Sequence, residues 1–161
     1  GVNMTDTMPG SSFKPIEVNN LRISANICYE VAFNELVRET AKNSNFIVSI
    51  TNDTWFGSSI GPYQHLEIAQ TRALEHQKPL VRATNSGISA VIDKNGKIIA
   101  SQGFFEEKEL KLRIPVYEGR TPFSITGNKI IYVYIIFIML YLLINKRTYV
   151  LKYNNSNDKR T

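Results

Sequence analysis

The chain has 161 residues and a formal net charge of +5 at pH 7. Hydrophobic residues make up 43% of the sequence, enough for the packed core of one modest domain. Because there is only one cysteine, a disulfide bond within the chain is excluded.

The excess of positive charge lies at one end of the sequence. Lys129 contributes one charge and the tail after Ile144 contributes a net four, which leaves residues 1–128 with no net charge. A domain that binds nucleic acid needs an excess of Lys and Arg to contact the phosphates. The charge distribution therefore indicates that nucleic acid is not a partner.

The first elements predicted are a strand and a helix, with the cysteine at their junction. Leu21 to Ile27 alternates apolar and polar residues, which is the period of a half-buried strand. From Glu30 onwards, apolar residues recur at helical spacing. Cys28 therefore falls near a predicted helix N-terminus, where the dipole and free N–H groups favour the reactive thiolate. A lone cysteine also serves readily as a small core residue, so its position alone leaves both interpretations open.

A second strand and helix follow. Phe46–Thr51 is a β-rich run that is typical of a strand covered on both faces. A polar, glycine-rich loop comes next and holds the large aromatic residues Trp55 and Phe56. Pro62 can open a helix that continues through Leu74.

Strands make up the rest of the predicted domain. Their ranges are Leu80–Thr84, Ile88–Asp93, Lys97–Ser101 and Leu110–Val116. Lys94-Asn95-Gly96 predicts a hairpin turn between the second and third of them. Pro115 predicts that the last strand lies at a sheet edge, because proline cannot donate a hydrogen bond. The order of elements predicts a layered α/β fold.

An uncharged apolar run, Ile130–Ile144, lies near the C-terminus. A membrane-spanning helix needs about 20 residues, and the residues before this run extend it. We therefore predict a transmembrane helix over residues 123–145, with a buried core helix or strand as the alternative. Lys146 and Arg147 follow at once, so the polar, basic tail of residues 146–161 is predicted to be cytoplasmic.

Several motifs in one consistent order resemble the carbon–nitrogen hydrolase (nitrilase) superfamily. They are Cys28-Tyr29-Glu30, the loop Asn52 to Gly57, Gly61-Pro62-Tyr63-Gln64-His65, Arg72-Ala73-Leu74-Glu75 and the run Arg82 to Ala90. Within the superfamily, the chain is most similar to the apolipoprotein N-acyltransferase family, bacterial membrane enzymes that add the third acyl chain to lipoproteins. The run from Trp55 to His65 is the most specific part of this resemblance. Several ordered motifs agree by chance far less often than one short pattern does.

The resemblance implies a fold and a location. Residues 1–122 are expected to form the C-terminal part of a nitrilase-like catalytic domain, as a partial α-β-β-α sandwich. The single transmembrane helix would follow it. The protein is expected in the bacterial inner membrane, with the catalytic domain facing the periplasm.

The resemblance also implies a chemistry for Cys28. This thiol would attack the acyl ester of a phospholipid and hold the acyl chain as a thioester, which the α-amine of a diacylglyceryl-cysteine lipoprotein would then take. The N–H group of Tyr29 would help to form the oxyanion hole. Glu30 matches a residue that the acyltransferases require, and it is equally well explained as an ordinary glutamate in a first helical turn.

The substrate-binding residues implied by the resemblance lie in one loop. They are Asn52, Trp55, Phe56 and Gly57. The two aromatic residues resemble an apolar lid over the acyl chain, and simple core packing is the alternative interpretation. Loops rich in glycine and serine more often carry function.

The front of the sequence departs from the family. The superfamily's catalytic set is Glu, Lys and Cys, and the Glu and Lys come well before the cysteine. Only 27 residues precede Cys28, and neither Lys14 nor Glu17 among them has the family's context. We therefore expect the C-terminal part of a longer enzyme, inactive alone. A membrane-anchored amidase and a non-catalytic membrane-tethered module remain open.

No cofactor or metal is expected. The sequence contains no phosphate-binding loop and no zinc-ligand spacing. His65 and His76 are 11 residues apart, about three helical turns, which is too far for one metal ion. A hydrogen-bonding role is favoured for both histidines.

Overall fold

A computed structural model describes residues 12–104 and 109–158. The chain divides into two compact units, the first ending at Ile125 and the second beginning at Thr126. The last residues of the predicted tail, 159–161, lie outside the described residues.

In its described residues, the first unit contains one six-stranded sheet and three helices. The strands are β1 (Ile16–Val18), β2 (Leu21–Ile27), β3 (Phe46–Thr51), β4 (Leu80–Thr84), β5 (Ser89–Ile92) and β6 (Ile98–Gln102). The helices are α1 (Asn34–Ala41), α2 (Gly61–His76) and α3 (Pro122–Thr126). Short 3₁₀ turns cover Cys28–Ala32 and Asp53–Phe56. The predicted α/β fold is confirmed.

The strands follow one another across the sheet in chain order. β2, β3 and β4 run parallel, and the remaining neighbours are antiparallel. The parallel strands need crossover connections, which contain α1 and α2. The carboxyl ends of the three parallel strands therefore meet at one edge, where Ile27 lies beside Ile50 and Thr51 beside Thr84. Both short turns leave the sheet at this edge.

The hydrophobic core lies between one face of the sheet and the helices α1 and α2. Its buried members are Val31, Val37, Ala41, Ile47, Leu66, Ala69, Ala73, Leu80, Ala90 and Ile92. Polar residues of β2 also lie on this face, since the register places Ser24 beside Ile47. Ser24 Oγ is 2.7 Å from Thr40 Oγ1 of α1, and Asn26 Nδ2 donates to Ser24 Oγ at 3.3 Å. β2 is thus half-buried as predicted, but the fully buried face is the polar one.

The opposite face of the sheet is apolar and poorly covered. It carries Ile23, Ala25 and Ile27 from β2 beside Phe46, Val48 and Ile50 from β3. Ile27 is 68% exposed and Ile50 is 57% exposed. The prediction that β3 is covered on both faces is therefore wrong within the described residues. Exposed apolar residues that lie side by side in this way are typical of an interaction face.

The strand predicted at Leu110–Val116 is also wrong. In the described part of the chain, β6 is the last strand, and residues 109–118 run without sheet pairing. The alternating Leu112 and Val116 are 43% and 44% exposed. The segment is attached instead by single contacts, such as the Tyr117 N–H group donating to the Asn45 carbonyl at 3.3 Å.

The second unit is dominated by one long helix, α4 (Lys129–Asp158). Its segment Lys129–Lys146 has a mean hydropathy of 1.8 and is long and apolar enough to cross a membrane. Eighteen helical residues extend about 27 Å, close to the thickness of a bilayer's hydrocarbon core. None of this segment is buried within the described residues.

His76 closes the C-terminal end of α2. Its imidazole is 1% exposed, its Nδ1 lies 2.7 Å from Ser124 Oγ, and its ring centroid is 5.8 Å from that of Phe123. Burial, together with the nearby positive charges of Lys78, Arg72 and Arg38, lowers the pKa of His76 from 6.5 to about 4. This histidine is therefore neutral in the folded protein near pH 7.

Acid should destabilise the first unit through His76. As the pH falls, His76 takes up a proton in the unfolded chain before it does so in the folded chain. The contribution of neutral His76 to the free energy of unfolding is therefore full above about pH 6.5 and is lost as the pH falls to about 4. A shift of this size corresponds to about 3 kcal/mol of unfolding free energy. In urea unfolding of the purified chain in detergent, His76→Asn should lose correspondingly less stability between pH 7 and pH 4 than the wild type. An equal loss in both proteins would contradict the assignment.

Candidate functional site

Cys28 begins a five-residue 3₁₀ turn at the end of β2, which we call the nucleophile turn (Cys28–Ala32). Its φ angle is +53°, in the left-handed region that costs residues with a Cβ atom about 1–2 kcal/mol. Backbone strain of this kind persists only where the surroundings enforce it, and it clusters at active sites. The geometry favours the nucleophile over the inert core residue.

The predicted helix begins later than the sequence indicated. α1 starts at Asn34, so Cys28 does not lie at its N-terminus. A single 3₁₀ turn offers only a small dipole, because few peptide units align. The helix dipole therefore stabilises the Cys28 thiolate less than the sequence pattern predicted.

Hydrogen bonds hold the nucleophile turn in place from both sides. Glu30 Oε2 accepts the N–H group of Ile27 at 2.7 Å, which caps the turn. Arg72 of α2 donates from Nε to the Val31 carbonyl at 3.1 Å. Tyr29 is 53% exposed, and its ring meets that of Phe33 edge-on at 6.0 Å. The structure thus gives Glu30 a capping contact and places Tyr29 at the surface.

The predicted substrate-binding residues lie in the aromatic loop (Asn52–Gly57), which leaves the end of β3. Asn52 Oδ1 accepts the N–H and hydroxyl groups of Thr54 at 3.1 and 2.6 Å, which caps the loop's 3₁₀ turn. Trp55 is 88% exposed, whereas Phe56 is half-buried. Gly57 has a φ angle of +53°, which favours glycine. The loop therefore presents one aromatic side chain outwards and one inwards.

One imidazole connects the nucleophile turn and the aromatic loop. The ring centroid of His65 lies 5.8 Å from that of Tyr29 and 5.8 Å from that of Phe56. His65 is only 2% exposed. The structure therefore brings Cys28-Tyr29-Glu30 and the aromatic loop to the same edge of the sheet, over a shared buried support.

His65 belongs to a buried charged cluster that sequence reasoning missed. Arg82 Nη2 donates to Asp53 Oδ2 at 2.6 Å, and both side chains are 0% exposed. His65 Nδ1 lies 3.0 Å from Asp53 Oδ1, and the Thr51 hydroxyl donates to the same oxygen at 3.2 Å. Charged groups are rarely buried unless they are paired. The position of Arg82 within an apolar strand was therefore the sequence signal for a buried ion pair.

The electrostatics keep His65 neutral. Burial lowers the pKa of His65, the positive charge of Arg82 lowers it further, and the Asp53 carboxylate and a hydrogen bond with the Cys28 backbone oppose both effects. The predicted hydrogen-bonding role for both histidines agrees with the structure, since His65 and His76 contact different partners. In the described residues, no three His, Cys, Asp or Glu side chains are grouped to hold a metal.

A cavity of about 550 Å³ lies beside the aromatic loop. Its lining combines the hydroxyl groups of Thr54 and Ser86 with Gly57 and the rings of Tyr63 and Phe104. This mixture of apolar and hydroxyl groups is typical of small-molecule sites. Of the predicted substrate-binding residues, only Gly57 lines it.

The lysine and the glutamate that precede Cys28 outside the family's context lie at the surface. Lys14 and Glu17 are both exposed. Glu17 of β1 lies opposite Arg22, six residues before Cys28, which is about 20 Å along β2. Glu17 is thus too far away to exchange a proton with the thiol directly.

Curated relatives and one family model match this chain. The carbon–nitrogen hydrolase family model matches residues 4–118. The chain is 48% identical over 119 residues to the apolipoprotein N-acyltransferase of Pasteurella multocida, which covers 73% of this chain and 23% of that protein. It is 44% identical over 131 residues to that of Haemophilus influenzae, covering 80% and 25%. The chain thus spans about a quarter of the length of these relatives.

Solved structures share the fold. A carbon–nitrogen hydrolase from Helicobacter pylori aligns with a TM-score of 0.57 at 16% identity, covering 63% of this chain and 43% of that one. Saccharomyces cerevisiae Nit3, of branch 10 of the nitrilase superfamily, aligns with a TM-score of 0.54 at 26% identity, covering 62% and 40%. Since the family model matches well over half of its residues, this chain belongs to the carbon–nitrogen hydrolase family.

Proposed function

We propose that this chain supplies the nucleophile of an apolipoprotein N-acyltransferase. The observation that carries the proposal is the strained Cys28, at the end of β2, in a chain 48% identical to an enzyme of that name. The activity belongs to the whole protein, since the matched region covers 23% of that relative.

The proposed reaction has two steps through Cys28. In the first, the sulfur attacks the ester carbonyl of a phospholipid, the carbon–sulfur bond forms, the ester carbon–oxygen bond breaks, and the lysophospholipid leaves with the thiol's proton. In the second, the α-amine of a diacylglyceryl-cysteine lipoprotein attacks the thioester, the amide bond forms, the carbon–sulfur bond breaks, and the sulfur leaves as a thiol with a proton from the amine. A covalent intermediate divides one difficult transfer into two easier steps.

Tyr29 and Glu30 have separate proposed roles in the first step. The N–H group of Tyr29 is proposed to stabilise the oxyanion, as a preorganised donor beside the reacting carbon. The Glu30 carboxylate holds the backbone of Ile27, which precedes the nucleophile. We propose that this cap keeps the nucleophile turn in its reactive geometry.

The aromatic loop is proposed to bind the acyl chain. Trp55 is almost fully exposed and offers apolar surface to a fatty acid. Each methylene group that leaves water contributes about 0.8 kcal/mol, so a few contacts with Trp55 and Phe56 suffice to orient the chain. Asn52 caps the loop and Gly57 supplies its positive φ angle, which together support this conformation.

We propose that α4 spans the bacterial inner membrane with the catalytic domain on the periplasmic side. The apolar segment Lys129–Lys146 supports a spanning helix. Lys146 and Arg147 immediately follow the apolar run, and positive charges favour the cytoplasmic side.

A reporter fused after Thr161 tests this topology. A cytoplasm-dependent reporter should be active at that position, and a periplasm-dependent one should be inactive, because the flanking charges hold the C-terminus inside. A periplasmic signal from this fusion would contradict the proposed orientation.

The function is tested with the product of the complete gene. We would express it in a bacterium depleted of its own N-acyltransferase and measure lipoproteins by mass spectrometry. Conversion of diacylated to triacylated lipoprotein is the expected result. Hydrolysis of amides without acyl transfer would favour the amidase. The absence of both activities would favour the non-catalytic module.

A further inference from the structure

We propose that His65 is a positioning residue: its buried imidazole supports both the nucleophile turn and the aromatic loop and holds them in one fixed relation. This inference rests on the proposed function, because it assigns a role within the same acyl transfer. It concerns a side chain that lies beneath the site and does not contact the reacting atoms.

The contacts of the imidazole point to a shared support. Tyr29 follows the nucleophile directly, and Phe56 faces inwards from the aromatic loop. Both rings lie 5.8 Å from the His65 ring, at interplanar angles of 45° and 65°. Aromatic pairs prefer such tilted arrangements at this separation. Movement of the imidazole would therefore displace both segments together.

The imidazole is itself held by a turn and two strands, through side chains that contact it or its partner. Asp53 binds it at 3.0 Å, and Asp53 is fixed by Arg82 of β4 and Thr51 of β3. The turn after β4 closes the remaining space, since a Cβ atom at Gly87 would lie 2.2 Å from Asp53 Oδ2. The cluster therefore has little freedom to move.

The strain at Cys28 explains why such a support is needed. A non-glycine residue at a φ angle of +53° relaxes unless neighbouring contacts oppose it. Arg72 fixes the far end of the nucleophile turn at Val31, whereas His65 supports the near end through Tyr29. The two side chains come from the same face of α2, which makes the helix the template for the turn.

The test measures acylation of Cys28 in the product of the complete gene, purified in detergent, with p-nitrophenyl butyrate as the probe. The sulfur attacks the ester carbonyl, the carbon–oxygen bond breaks, and nitrophenolate leaves. The burst of absorbance gives the rate, and mass spectrometry of the Cys28 peptide identifies the adduct. Phospholipid is used as a second acyl donor in parallel.

His65→Ala is compared with His76→Ala, a matched control. Both histidines are buried on α2 and bonded through Nδ1, but His76 lies at the opposite end of the helix. We expect His65→Ala to lower the single-turnover rate constant about 10²-fold, as a displacement of about 1 Å does, at unchanged half-saturating ester concentration. His76→Ala should acylate at the wild-type rate.

Two further variants separate support from proton chemistry and cover a failure of His65→Ala to fold. His65→Phe keeps a ring between Tyr29 and Phe56 and should recover most of the rate. His65→Asn keeps a nitrogen for Asp53 but removes the ring, and should stay slow. A fast His65→Asn, or a His65→Phe as slow as the alanine variant, would overturn the positioning role.

The remaining outcomes separate this inference from the proposed function. Wild-type acylation rates in folded His65→Ala, or equal losses in both alanine variants, would overturn the inference alone. A normal ester burst in the wild type without any adduct from phospholipid would overturn the proposed function. The rates of the histidine variants with the ester would still test the positioning role. No burst with either donor would overturn both.

Discussion

Cys28→Ala is expected to abolish acyl transfer in the product of the complete gene. Without the sulfur no thioester can form, and removing the nucleophile from a covalent mechanism costs about 10⁶-fold in rate. Cys28→Ser should also be inactive, because a hydroxyl group is a far weaker nucleophile near neutral pH. Mass spectrometry should detect the acyl adduct on the Cys28 peptide of the wild type and in neither variant.

The exposed Thr71 on α2 provides a control for this experiment. Its hydroxyl group donates to the Glu67 carbonyl of its own helix, its one hydrogen-bond partner among the residues that the structure describes, so Thr71→Ala should transfer acyl groups normally. Normal lipoprotein acylation by Cys28→Ala would remove the cysteine from the mechanism and leave the strain at this residue without a catalytic explanation.

Asp53→Ala is expected to produce the largest loss of stability. It leaves the Arg82 guanidinium buried without its carboxylate, and breaking a buried ion pair from one side costs about 3–5 kcal/mol. Urea unfolding of the purified chain in detergent, followed by circular dichroism, measures the loss. The matched control is Glu109→Ala, which breaks an exposed ion pair with Lys111 and should cost about 0–1 kcal/mol.

A double variant tests the physical reason for that loss. Asp53→Leu combined with Arg82→Met removes both charges, so no uncompensated ion remains in the core. It should be more stable than Asp53→Ala alone. If the double variant is as unstable as the sum of its two single variants, the ion pair is not the source of the effect.

The sequence determined the elements whose signals are local. The alternation of Leu21–Ile27 and the helical spacing after Pro62 correspond to β2 and α2, and the Lys94-Asn95-Gly96 turn joins β5 to β6. Cys28 was placed correctly at a junction, because the change of hydrophobic period marks where one element ends. Such patterns depend on the backbone period and the turn preferences of residues that are neighbours along the chain, so the sequence alone is enough to reveal them.

Tertiary structure decided which face of each strand is buried and which strands pair. Alternation in Leu110–Val116 predicted a strand, but a strand also needs an unpaired neighbour within reach, and in the described sheet none pairs with it. β2 was predicted only to be half-buried, and the structure buries its polar residues Ser24 and Asn26: Ser24 Oγ lies 2.7 Å from Thr40 Oγ1 of α1, and Asn26 Nδ2 donates to Ser24 Oγ.

The candidate site also has a part that the sequence predicted and a part that only the tertiary structure revealed. Cys28, Tyr29 and the aromatic loop were found from motifs, because each lies in one short run of sequence. The grouping of Asp53, His65 and Arg82 was not predicted, although each lies in one of these motifs, since the three come from a turn, a helix and a strand up to 29 residues apart. Only the parallel packing of β3 and β4 under α2 brings these side chains together, because a buried charged group must find its partner in space rather than along the chain.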